Sequence, residues 1–326
     1  MAVVTRMQAL WLPLALLVFS GLAGGASPAT AGATLEQHPD SPYLYVLGTA
    51  QDGGYPQAGC FKPHCMPGWE HPELRHPTAS LGLIVPAASR KYLFDATPNF
   101  PEQFYKLEVE APDTRYTFGG VFLTHAHIGH YAGLMYFGRE VMGAKDVPVY
   151  AMPRMRAFLS DNGPWSQLVA LHNIALQPLE DGQATPLPGG ITVTPLRVPH
   201  RDEFSETVGF VIRGPSKSAL FIPDIDRWEK WGRSLREVLK TVDYALVDAT
   251  FYSMDELPGR NMDEIPHPLV THTMALLADM PASERGKIYF IHMNHSNPLL
   301  RVDSPQSRAV EQAGFHVARE GMRLGL

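Results

Sequence analysis

His125, His127 and His130 fall within six residues, in the run Thr124-His125-Ala126-His127-Ile128-Gly129-His130. Neutral imidazole is the commonest protein ligand for zinc and also suits iron, copper and nickel, so three rings this close read as half of a metal site. The other half must come from elsewhere in the chain. The run lies between the apolar segment GVFL and the helix-like YAGLMYFGREVM. Such a strand-to-helix junction presents side chains from a rigid scaffold.

Further donors stand at the ends of other apolar runs. His200 follows TPLRVP, Asp224 follows ALFIP and His292 follows KIYFI, while Asp95 ends KYLF and Asp248 ends DYALV. One aspartate at a strand end is ordinary turn or cap chemistry. A series of His and Asp at equivalent strand ends is not explained that way.

The elements that must position these donors alternate along the chain. Strand-like runs cover 43–50, 80–85, 91–96, 120–125, 147–152, 191–198, 207–214, 218–224, 243–250 and 287–292. Helix-like segments cover 100–107, 131–142, 152–162, 227–242 and 272–280. Helices inserted regularly among strands predict an α/β sandwich with helices outside two packed sheets. Trp228, Trp231 and Leu235 recur at helical spacing, as one buried helix face would. Phe210, soon after His200, is expected in the core. With no internal repeat or low-complexity linker, residues 32–326 read as a single domain.

The 326 residues are 45% hydrophobic and 18% charged, as suits a large core, with net charge −6. No Lys/Arg cluster or aromatic-basic stripe is present to track a phosphate backbone, so a small-molecule substrate is expected and nucleic acid is not. Residues 1–31 read as an export signal: Arg6, the apolar stretch 9–19, and the cleavage site Ala29-Thr30-Ala31. No later apolar run approaches ~20 residues, so the mature chain is expected to be periplasmic or secreted without a stable membrane anchor. Oligomeric state is not legible. In an exported chain the only two cysteines, Cys60 and Cys65, with His64 between them, suggest a disulfide.

The order H-x-H-x-x-H, then His, Asp and His, resembles the metallo-β-lactamase superfamily. Within it, VLGTAQDGGYPQAGC and FIHMNHSNPLL are similar to the pyrroloquinoline quinone biosynthesis protein B (PqqB-like) branch. The resemblance implies a four-layer αββα sandwich with its metal site at one edge of the two sheets. It implies one ion at His125, His127 and His200 and a second at His130, Asp224 and His292, with Asp224 bridging. Zinc, one ion or two, is the expected metal, with iron or manganese as alternatives. Asp95 matches an acidic position that orients the metal loop, and Cys60, Cys65 and one or two histidines could instead form a structural zinc site of the kind the branch carries.

The chain departs from the superfamily pattern H-x-H-x-D-H at Gly129, which replaces an aspartate that ligates the second ion. The expectation is a weaker second site, strengthened by Gly129→Asp, with Asp226 and His295 as candidate compensators. A divalent ion makes hydrolysis of an ester, lactone, lactam or phosphodiester the default chemistry. His130 or Asp224 would position the water, and His272 or His295 would protonate the leaving group. The segment from His267 to Thr273 resembles regions that enter the active site in phosphodiesterase members. Two alternatives stay open: a PqqB-like non-haem iron oxygenase linked to quinone cofactor chemistry, and a non-catalytic metal- or ligand-binding member of the fold.

Overall fold

Apolar alternation in the strands builds three parallel layers of core. The computed structural model describes residues 41–326, the side chain of Asp263 excepted; the expected export signal lies outside them. Strands β1 (Tyr43–Gly48), β2 (Ser80–Val85), β3 (Arg90–Phe94), β4 (Thr117–Phe122), β5 (Val147–Ala151) and β6 (Ile174–Pro178) form one sheet. Strands β7 (Thr185–Leu187), β8 (Ile191–Arg197), β9 (Val208–Arg213), β10 (Ser218–Ile222), β11 (Tyr244–Asp248), β12 (Ile288–Ile291) and β13 (His316–Val317) form the other. The last strand, β14 (Arg323–Gly325), returns to the first sheet beside β1.

In β10, Ala219 and Phe221 face the layer between the sheets while Leu220 and Ile222 face outward, the period-2 alternation of a strand buried on both sides. Phe94, Phe122, Phe210 and Phe221 meet in the inner layer, with Phe94 5.4 Å from Phe210 across it. Phe210 therefore packs in the core, as expected. Outside the first sheet lie helices 100–110, 153–161 and 165–170; outside the second lie 235–239, 270–276 and 305–312. The layers are the αββα order implied by the sequence.

Two expected helices differ. Residues 131–142 hold only an α-turn over 128–131 and a 3₁₀ stretch over 132–137. Ala96 N–H donates to the His130 carbonyl and Gly133 N–H donates to the Ala96 carbonyl, so the segment is tied to the chain after β3. Segment 227–242 breaks into a 3₁₀ turn, 228–230, and a short helix, 235–239. Trp228, Trp231 and Leu235 still share one core cluster, but not one helix face.

Within the first sheet β1, β3 and β4 run in one sense, as do β8, β10, β11 and β12 within the second. The segments following these strands meet at one edge of the sandwich. That is where loops can place side chains without disturbing either sheet.

Candidate metal centre

Asp224, directly beyond β10 and almost wholly buried, is the hub. Its Oδ2 lies 3.4 Å from His125 Nε2, 3.7 Å from His130 Nε2 and 3.8 Å from His292 Nε2, and its Oδ1 lies 3.3 Å from His200 Nε2. His127 turns its Nδ1 to within 3.2 Å of His200 Nε2. The donors form two lobes that share Asp224: His125, His127 and His200 on one side, His130 and His292 on the other. All six residues named from sequence as candidate ligands are thus brought together.

Threonine–aspartate pairs fix the ring tautomers. The Thr124 hydroxyl donates to Asp95 and so accepts from His125 Nδ1–H at 3.0 Å, leaving the His125 Nε2 lone pair facing Asp224. The Thr250 hydroxyl likewise donates to Asp248 and accepts from His292 Nδ1–H at 3.1 Å. His130 Nδ1–H donates directly to Asp95 at 2.7 Å. Glu203 lies 2.9 Å from the far nitrogen of His127. Such outer carboxylates orient metal-binding imidazoles and raise their basicity. Asp95 and His292 hold the left-handed backbone conformation, φ 62° and 65°, which non-glycine residues adopt where the surroundings over-determine it.

The donor set fits a divalent cation. His125 Nε2, His292 Nε2 and Asp224 Oδ1 are buried without a hydrogen bond, a costly state unless a cation completes them. Burial, reinforced by neighbouring imidazoles, pushes His125 well below the ordinary histidine range and His200 down to about 2, so both rings are neutral and ready to ligate. Nitrogen and carboxylate donors suit zinc, iron or manganese. Among the described residues no cysteine belongs to either lobe.

The other named residues sit elsewhere. His272, on helix 270–276, pairs with Glu229 at 3.1 Å and is half exposed. His295 packs against His64, ring centres 5.5 Å apart, beside Cys60 and Cys65, which the structure joins as a disulfide. His64, His295 and the two sulfurs lie within 4.8 Å of one another. Asp226 is engaged by Lys230 at 2.7 Å and is not part of either lobe. Neither proposed compensator for Gly129 therefore stands where compensation is needed.

Two residues not named from the sequence as ligands or catalytic groups also enter the site. Asp52, in the glycine-rich turn after β1, places Oδ1 3.1 Å from His130 Nε2 and 3.4 Å from His292 Nε2. His267 Nδ1–H donates to Asp248 at 2.8 Å and lies 3.2 Å from Asp224. Burial alone would lower the His267 pKa, but the carboxylates of Asp248 and Asp224 outweigh it and lift it to about 9. His267 also lines a cleft of about 230 Å³ with Arg227, Met254, Met262, Leu269 and His272. The signal for Asp52 was available, since it follows an apolar run as the other donors do; its neighbouring glycines disguised it as turn punctuation.

Nearby, burial pushes the Glu256 carboxyl up to about 7 against hydrogen bonds from Ser296 and the Tyr252 N–H. Its folded pKa lies above the ordinary 4.5, so the folded state holds the extra proton between those values and stability falls as pH rises through that window. Glu256→Gln should remove most of that fall, on the order of 2–3 kcal/mol. Melting wild type and variant at pH 5 and pH 8 reads it directly; an unchanged pH slope in the variant contradicts it.

Residues 90–293 match the beta-lactamase superfamily domain, and the chain belongs to the metallo-β-lactamase superfamily. Within that class it is similar to coenzyme PQQ synthesis protein B. It is 28% identical to the protein of that name from Methylobacterium sp. strain 4-46, the match covering 86% of this chain and 99% of the relative. The crystal structure of Zn²⁺-bound PqqB from Methylobacterium extorquens superposes with a TM-score of 0.71 at 25% identity, covering 87% of this chain and all of that one. A diphosphatase of the PhnP family shares the fold, with a TM-score of 0.61 at 20% identity over 87% of this chain and 97% of that one.

Proposed function

We propose that this chain is a metal-dependent hydrolase of a small-molecule ester, lactone, lactam or phosphodiester. The observation that carries the reading is the His267–Asp248 pair set against Asp224, a proton donor beside a metal-binding carboxylate. A divalent ion held by the two lobes would acidify a water and polarise the substrate's carbonyl or phosphoryl oxygen. Asp224 and Asp52 are placed to accept a hydrogen bond from that water and orient its attack. His267 keeps Nδ1–H on Asp248, so the proton it would give to the leaving group is the one on Nε2. The cleft's methionines and leucine favour a small organic body and exclude bulk water around the departing atom.

His267→Gln should therefore lower kcat roughly 10²- to 10⁴-fold for substrates with poor leaving groups. A nitrophenol leaving group, which needs no proton, should recover most of the rate, and metal content should stay unchanged. Equal losses for good and poor leaving groups would remove His267 from the role of acid.

Similarity to coenzyme PQQ synthesis protein B over 86% of the chain favours a second reading, a part in quinone cofactor chemistry, for which the same His and Asp donors would hold an iron ion that oxidises instead of hydrolysing. Dioxygen uptake by iron-loaded protein in the absence of hydrolysis of any ester, lactam, lactone or phosphodiester would select it.

A further inference from the structure

Gly129 removes a side chain from the middle of the histidine run, yet the space in front of it is filled. A Cβ at position 129 would meet Asp52 Cα at 2.5 Å, Asp52 Cβ at 2.7 Å and Asp52 Oδ1 at 2.7 Å. Backbone atoms do not yield to such an approach. The intruding residue is an aspartate, and its carboxylate points at the two histidines of the second lobe, His130 and His292.

Asp52 is also held in place from both sides. The Gln51 N–H donates to the carbonyl of Met293, the residue after His292, at 2.8 Å, and the Thr78 hydroxyl donates to the Asp52 carbonyl at 3.1 Å. A solvated turn aspartate has no need of this anchoring.

We infer that Asp52 is the anionic ligand of the second metal lobe, supplied by the glycine-rich turn in place of a carboxylate at position 129, and that Gly129 is required because Asp52 occupies its side-chain volume. The second lobe then carries Asp52, His130, His292 and the shared Asp224, one carboxylate more than the histidine run alone provides. This inference deepens the reading of the site as a two-ion centre. It also reverses the expected effect of Gly129→Asp, which now introduces a collision instead of restoring a ligand.

The test is an exchange of the two residues. Metal-free protein is titrated with cobalt, whose visible spectrum reports ligand geometry, and bound metal is counted by elemental analysis. Wild type should take up two equivalents. Asp52→Asn, which keeps shape and loses charge, should weaken the second equivalent about tenfold or more and leave the metal-free melting temperature within a few degrees. Gly129→Asp alone should lower the yield of folded protein without strengthening binding. The double variant Asp52→Gly/Gly129→Asp should bind the second equivalent more tightly than Asp52→Gly alone. A wild type that takes only one equivalent, an Asp52→Asn variant that keeps both unchanged, or a double variant no better than Asp52→Gly would each overturn the inference. Wild type that binds two equivalents yet hydrolyses nothing would sink the hydrolase reading and leave this one standing.

Discussion

Asp224→Asn should weaken metal binding by roughly two orders of magnitude while leaving the metal-free protein as stable as wild type, or more so. The two halves of that result share one cause. Asp224 is almost fully buried, its Oδ1 makes no hydrogen bond, and burial raises its pKa. In the metal-free chain this is a charge poorly repaid by its surroundings, and an isosteric amide relieves it. With metal bound the same carboxylate is the donor common to both lobes, so its loss strikes both. Melting with and without zinc separates the effects: the variant should keep its metal-free transition and lose most of the zinc-dependent rise. A drop in metal-free stability with an intact zinc response would make Asp224 a structural residue instead.

Asp95→Ala should act the other way, costing about 4 kcal/mol in the metal-free protein, because Asp95 is wholly buried and satisfies several donors at once. It accepts from the Thr124 N–H at 2.8 Å, from the Thr124 hydroxyl and from His130 Nδ1–H at 2.7 Å. Alanine leaves those donors unpaired and must also hold a left-handed backbone that it disfavours by about 1 kcal/mol. Metal affinity should fall a further tenfold to hundredfold, because His130 loses the partner that fixes its tautomer and the Thr124 hydroxyl is free to turn away from its part in orienting His125. Asp95→Asn keeps an acceptor and tolerates the backbone, so it should recover much of the loss. Denaturant unfolding of the metal-free protein, followed by zinc titration, measures both quantities. A cost under about 1 kcal/mol for alanine would show that the strand-end network is not what positions the metal loop.

Much of this centre is legible in the sequence because its information is local. A donor at the end of an apolar run reports its own position at a strand end, and His125, His127, His200, Asp224 and His292 each do so. Helix boundaries were less legible where backbone donors are diverted to a distant segment, as at Gly133 and Ala96. The short strands β7, β13 and β14 carry too few residues for any periodicity to show, and β14 exists because β1 pairs with it from the other end of the chain.

The choice of proposed proton donor illustrates the difference. His267, His272 and His295 are equivalent as letters, and only packing distinguishes the ring held between Asp248 and Asp224 from one beside Glu229 and one beside His64.

The sequence by itself determined the α/β sandwich and the series of His and Asp donors at strand ends, since each follows from residue type and spacing along a single strand and its following loop; the division into two lobes and the place of Asp95 came from the family resemblance. The tertiary structure alone decided that Asp52 lies against His130 and His292, that His267 rather than His272 stands beside Asp224, and that Gly129 is a point of close approach. A missing side chain is visible in a sequence, but what fills its volume is set by a turn that closes from 78 residues before His130.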